Sequence, residues 1–183
     1  MIYIIGSLRN PEIPNIANQL RCAGHEVFDD WFAAGPTADD NWRDYEKQRG
    51  RTFVEGLQGL AARNVYAFDR RNLERADVVV LVAPAGKSGH LELGWALGQG
   101  KRGYYLLDNP DRWDVMLQFC TGVCTSVENL LHTIARDQMR QETTNAGPSR
   151  VFEVVHVCGS CSNNHASDAD HRSVLAAMEE EEG

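Results

Sequence analysis

No apolar run in this 183-residue chain approaches the roughly 20 residues needed to cross a bilayer, so no membrane partner is expected. Basic runs and stripes are missing as well. With a net charge of −8, a general nucleic-acid binder is excluded at this level, and no nucleic-acid partner is expected. A small phosphorylated ligand remains compatible with that acidity, because one arginine and a few backbone amides suffice to hold it. The chain enters an apolar strand at once, without the basic and apolar regions of a secretory leader, which sets the expectation of a cytoplasmic protein. Internal repeats do not occur. Cysteine is sparse, and Cys22, Cys120, Cys124, Cys158 and Cys161 read as reduced thiols rather than as a disulfide framework. The Cys158-x-x-Cys161 pair has His156, His165 and His171 nearby but lacks the second paired half of a well-spaced zinc site. Unmetallated thiols are the expectation, and neither a metal nor a cofactor is called for.

What is present alternates between short apolar runs and amphipathic stretches. Ile2-Tyr3-Ile4-Ile5 reads as a buried strand ending at Gly6-Ser7. Pro11 and Pro14 fit the start of a helix carrying Ile16, Ala17 and Leu20, which Gly24 ends. His25-Glu26-Val27-Phe28 is a second strand, and residues 29–42, with Gly35-Pro36 and two tryptophans, read as a loop. Spacing near three and four predicts a helix over residues 43–64. Val65-Tyr66-Ala67-Phe68 is read as a strand closed by Asp69, followed by a brief helix with Leu73 and Ala76. Val78 to Ala83 is a buried strand, Ser88 opens a helix, and Gly103 to Leu107 is a further strand. Thr125 and Glu128 have capping-box spacing ahead of a helix with Leu130, Leu131, Ile134 and Met139.

This order predicts an α/β fold, Rossmann-like (flavodoxin-like), with a mostly parallel sheet of about five strands and helices on both faces. Two regions follow. Residues 1–138 form the α/β domain, and residues 139–183 form a C-terminal extension of low order, or one that packs only against a partner.

The candidate chemistry lies where strands of such a sheet end, since open α/β sheets bind ligands there. In SGHLELGWALGQGK, Glu92 is expected in the first turn of a helix after the buried strand, where the helix dipole would keep it ionised, as a carboxylate nucleophile must be. The alternative is a glutamate that merely complements the dipole of a surface helix. Gly6-Ser7-Leu8-Arg9 offers exposed amides, a hydroxyl and a guanidinium, a set suited to phosphate. Asp69 should face the same edge, or else cap the helix behind it. Ser88 and Gly89 complete the anion site or serve as a plain helix start. Tyr3 either fills the core or reaches the nucleophile with its hydroxyl. Two carboxylates beside an anion site suggest chemistry at a sugar, one attacking the anomeric carbon and the other managing protons at the leaving base.

Taken together, YIIGSLRN, the spacing of Asp69 and Asp77 ahead of VVVLVAP, and SGHLELGWALGQGK resemble the nucleoside 2-deoxyribosyltransferase family over roughly residues 1–138. E-L-G-x-A-x-x-x-G-K is the most specific portion. The resemblance implies Glu92 as nucleophile, Asp69 as active-site aspartate and Tyr3 as first-strand tyrosine. G-S-x-R is similar to the branch that hydrolyses 2'-deoxynucleoside 5'-monophosphates, which implies that Ser7 and Arg9 hold the 5'-phosphate. Asp29 and Trp31 lie where the family forms its base pocket, and the resemblance also implies a homo-oligomer, a dimer or larger. The chain departs from the pattern at Gly86, where transferases carry aspartate and the hydrolases tend to carry serine; here Ser88 comes two residues later.

The leading expectation is an N-glycosidase acting on nucleoside 5'-monophosphates, with base exchange by a deoxyribosyltransferase next. A non-catalytic nucleotide sensor of TIR-like type, or a TIR-like NAD glycohydrolase, belongs to another class. Ligand binding by Glu92→Ala, with no turnover in the parent, distinguishes the sensor; nicotinamide release distinguishes the glycohydrolase.

Overall fold

The computed structural model describes residues 1–108 and 113–145. Five parallel strands form one sheet: β1 (Ile2–Ile5), β2 (Val27–Phe28), β3 (Val78–Val82), β4 (Arg102–Leu106) and β5 (Gly122–Cys124), in the order β2-β1-β3-β4-β5. This is the Rossmann-like α/β architecture that the sequence implies. Every residue of β1 and β3 is buried, as expected of central strands covered on both faces. Each such Val, Ile or Leu contributes about 1.5–3 kcal/mol on burial.

The faces separate by residue parity along the strands. Ile2 and Ile4 of β1 and Val78, Val80 and Val82 of β3 point to one side, against α1 (Ile13–Cys22) and α6 (Val127–Asn145). Tyr3 and Ile5, with Val79 and Leu81, point to the other, against α4 (Leu60–Arg75) and α5 (Lys87–Gly98). Pro14 sits in the first turn of α1, and Gly24, at φ 90°, releases the chain toward β2.

Between β2 and α4 the structure departs from the sequence reading. Residues 29–42 are not a plain loop: Asp30–Ala34 forms a 3-10 turn, and α2 (Ala38–Gln48) begins before Trp42. The single helix expected over residues 43–64 is three. Gly50, at φ 71°, ends α2. Thr52 and Glu55 then form a reciprocal capping box that starts α3 (Phe53–Leu57), and α4 follows. Val65 to Phe68 is not a strand but the middle of α4, whose end also absorbs the brief helix expected around Leu73 and Ala76. The fifth strand is instead β5, a three-residue edge strand. At α6 the cap lies one residue beyond the expected Thr125, since the Ser126 hydroxyl accepts from the Asn129 amide at 3.0 Å.

Among the described residues no helix is long and apolar enough to cross a membrane. Cys22, Cys120 and Cys124 are free thiols. Helix α6 runs on to Asn145; the extension beyond it, with Cys158, Cys161 and the neighbouring histidines, lies outside the described residues.

Candidate active site

Strands β1 and β3 are neighbours, yet the chain leaves β1 toward α1 on one face and leaves β3 toward α5 on the other. Such diverging exits open a crevice at the carboxyl edge of an α/β sheet. The turn 6–9 borders it from β1, and residues 84–89 border it from β3.

Three elements supply the candidate catalytic groups. Tyr3 of β1 is 1% exposed. Its ring stacks on Phe28 of β2 at 5.1 Å, and Phe28 meets Phe68 of α4 at 5.6 Å. This aromatic row ends beside Asp69, which lies inside α4 rather than at a strand end or a helix cap. One Asp69 oxygen, Oδ1, is buried and has no hydrogen-bond partner among the described residues. Burial accordingly pushes the Asp69 carboxyl up from 3.8 to about 6.

Glu92 sits in the second turn of α5, not the first, because the helix starts at Lys87 with Gly86 as its cap residue. The expectation of an easily ionised carboxylate is therefore corrected. Burial first, and the charge of Asp69 second, push Glu92 up from 4.5 to about 7. Tyr3 is raised by burial first, then by Glu92 and by Asp69. Tyr3, Asp69 and Glu92 are thus close enough to sense one another's charge, and the two acids titrate as a pair. Between about pH 6 and about 7 that pair carries one proton. An acid and a nucleophile held side by side need this division of protons.

The remaining sequence-expected residues fall into two groups. Gly6, Ser7, Ser88 and Gly89 all border the crevice. At Gly6 a Cβ would press on the tip of the Ile13 side chain and sit 3.6 Å from Trp31, so a larger residue there requires Ile13 to shift. The Ser7 hydroxyl accepts from the Arg9 amide at 3.2 Å, and the Ser7 carbonyl accepts from Asn10 at 2.9 Å, which fixes the turn. Ser88 is exposed, as the second residue of α5 rather than its opening. The first amides of that helix lack intrahelical acceptors. Gly89 is a packing residue, where a Cβ would sit 2.9 Å from Ile5 Cγ2.

Arg9, Asp29 and Trp31 are already engaged with the protein. Arg9 donates to Asp40 of α2 at 2.9 Å, and Arg43 holds the other oxygen of that acid at 2.9 Å. Asp29 is ion-paired with Arg21 of α1. Trp31 donates its indole N–H to the Ile4 carbonyl at 2.8 Å, leaving only ring surface for a ligand. His90 is engaged elsewhere: its Nδ1–H donates to the Gly86 carbonyl at 2.8 Å, and Nε2 faces the Tyr105 hydroxyl at 3.4 Å.

Sequence reasoning missed Phe28 and Phe68, whose rings continue the row from Tyr3 toward Asp69, and Asp40, which occupies Arg9. It also missed Arg70 and Trp95, whose side chains stack across α4 and α5. Trp95 was open to detection, because it follows Glu92 by three residues and so shares its side of a helix. Among the described residues no group of three or more His, Cys, Asp or Glu side chains is placed to hold a metal ion. No protein-family model matches the chain, and no curated protein matches it.

Proposed function

We propose that the protein is an N-glycosidase that cleaves the base–sugar bond of nucleoside 5'-monophosphates through a covalent glycosyl-enzyme on Glu92. The observation that carries this reading is the pair of raised carboxyls, Asp69 and Glu92, meeting Tyr3 beside the crevice between β1 and β3. The pair's single proton rests chiefly on Glu92, the higher of the two acids, so the productive form is the minor one in which that proton has passed to Asp69. The Glu92 carboxylate attacks the anomeric carbon, the C–N bond breaks, and the departing base takes the proton from Asp69. Water then attacks the same carbon and returns a proton to Asp69, which frees Glu92. Tyr3 orients the nucleophile with its hydroxyl. Burial of the two carboxyls strengthens these interactions. The turn 6–9 and the first amides of α5 supply donors for the 5'-phosphate, and an exposed Arg9–Asp40 pair is weak enough for a phosphate dianion to displace the acid.

Base exchange on nucleosides without phosphate is the second reading, and the same Arg9–Asp40 contact favours it, because that guanidinium is already neutralised. A homo-oligomer, a dimer or larger, is proposed with either reading. Phe53, Val54, Leu57 and Leu60 are all exposed on α3 and the start of α4, an apolar group of the kind that marks interfaces. A cytoplasmic location accompanies the proposal.

A panel of nucleoside 5'-monophosphates and nucleosides, scored for released base with Glu92→Gln as control, tests the reading. A loss of at least about 100-fold in the variant is expected. Unchanged base release by Glu92→Gln overturns it, as does exchange into an added base with no requirement for phosphate.

A further inference from the structure

Helices α4 and α5 each deliver one of the two acids, and nothing in the sheet alone fixes how far apart they stand. Among the described residues two polar tethers join the helices. At the end away from the crevice, the Lys101 ammonium that follows α5 donates to the Glu74 carbonyl at 2.8 Å and to the Ala76 carbonyl at 2.5 Å. At the end nearer the acids, the Arg70 guanidinium lies 4.2 Å above the Trp95 ring. Arg70 is aimed by its own helix, donating to Glu74 Oε1 at 2.7 Å and to the Tyr66 hydroxyl at 3.1 Å. Tyr66, Arg70 and Glu74 are spaced four apart, so they form one ridge of α4.

We propose that Arg70 and Trp95 form a clamp, acting as positioning residues that hold α4 against α5 and so set the distance between Asp69 and Glu92. Arg70 adjoins Asp69 in sequence, and Trp95 lies three residues beyond Glu92 on α5. With Lys101 as the fixed end, loss of the upper contact lets the helices scissor apart beside the acids. Misplacement by about 1 Å at a reacting pair costs about 100-fold in rate. Separation also admits water and weakens the repulsion between the acids, so Glu92 returns toward an ordinary glutamate.

Among the described residues, Asp69 of α4 and Tyr3 of β1 are the groups that interact with the charge of Glu92. Arg70 and Glu74 share a helix with Asp69, His90 lies on α5, and β3, Val-Val-Val-Leu-Val, brings no titratable group. Trp95→Leu removes the ring without altering any of these charges. Its effect on Glu92 therefore reports geometry rather than a lost charge.

This inference rests on the glycosidase reading for its rate effect, but the clamp has a readout that needs no substrate. Carboxyl-labelled glutamate, followed by NMR from about pH 4 to about pH 9, gives the Glu92 titration, assigned by its absence in Glu92→Gln. In Trp95→Leu that titration falls by about one unit or more from about 7. Trp95→Phe and Arg70→Lys, which keep a ring and a cation, hold it near the parent value. In turnover, Trp95→Leu lowers kcat roughly 10- to 100-fold with KM within about twofold.

An unchanged Glu92 titration in Trp95→Leu overturns the clamp whatever the activity shows. A lowered titration in a parent that releases no base leaves the clamp standing and removes the glycosidase instead. Should Trp95→Leu not fold, Arg70→Met decides by sign. Separation lowers the Glu92 titration, whereas a missing cation can only raise it or leave it where it is, so a rise or no change overturns the clamp.

Discussion

Glu92→Gln should make this protein more stable at alkaline pH while removing its proposed nucleophile. In the folded chain the carboxyl is raised from 4.5 to about 7, by burial and by Asp69. An acid raised on folding holds its proton longer in the native state than in the unfolded one. Folding therefore bears no cost from this group below about pH 4.5, a growing cost as pH rises, and the full cost above about 7. The difference of roughly 2.5 units corresponds to about 3 kcal/mol. Glutamine has no proton to lose, so its difference from the parent must change with pH. Urea unfolding of both proteins at about pH 5 and about pH 8.5 measures this. The variant should gain up to about 3 kcal/mol relative to the parent between those values, after any constant offset from placing an amide there. A gap that stays the same at both pH values refutes the argument, because it shows Glu92 titrating alike in the folded and unfolded chains.

Other outcomes follow from single contacts. Arg9→Ala should raise KM for nucleoside monophosphates by about tenfold and leave nucleosides unaffected, as steady-state base release will tell; equal effects on both remove Arg9 from phosphate binding. Gly89→Ala should destabilise the fold by about 1–3 kcal/mol in thermal unfolding, since its Cβ would press on Ile5 at 2.9 Å and lift α5 from the sheet. Leu60→Glu, on a side chain that is 73% exposed, should shift any oligomer toward monomer in sedimentation without loss of fold. An unshifted mass would place the interface elsewhere.

The elements that were legible in the sequence are those whose burial matches a simple period. Strands β1 and β3 are unbroken apolar runs and are buried throughout. Pro14 and Gly24 punctuate α1 where expected. Val65-Tyr66-Ala67-Phe68 misled because its apolar side chains do not pack on the core in the usual way. Val65 and Tyr66 are both 63% exposed on α4, so the run carries no helical stripe and resembles a strand. Strand β5 escaped notice because three residues at a sheet edge are too few to show an alternation. Within the candidate site, the sequence points to Tyr3, Asp69 and Glu92 as candidates but not to their electrostatics. Those depend on the burial of both carboxyls and on the approach of α4 to α5, a long-range arrangement with no local signature. Ion pairs such as Arg9–Asp40 and Arg21–Asp29 are likewise set by tertiary approach, and they withdraw groups that looked free.

The placement of Asp69 has a consequence for how this scaffold tolerates change. Its helix is held at the far end, by Leu73 and Ala76 in the core and by Lys101 on the carbonyls of Glu74 and Ala76. The stretch from residue 38 to residue 57, beyond the core-packed Trp31, leads into that helix at its free end. Insertions, deletions or wholesale grafting there can rewrite the rim that a ligand meets while the acid keeps its station. Libraries aimed at new ligand preference belong in that stretch, with the anchored half of the helix left untouched.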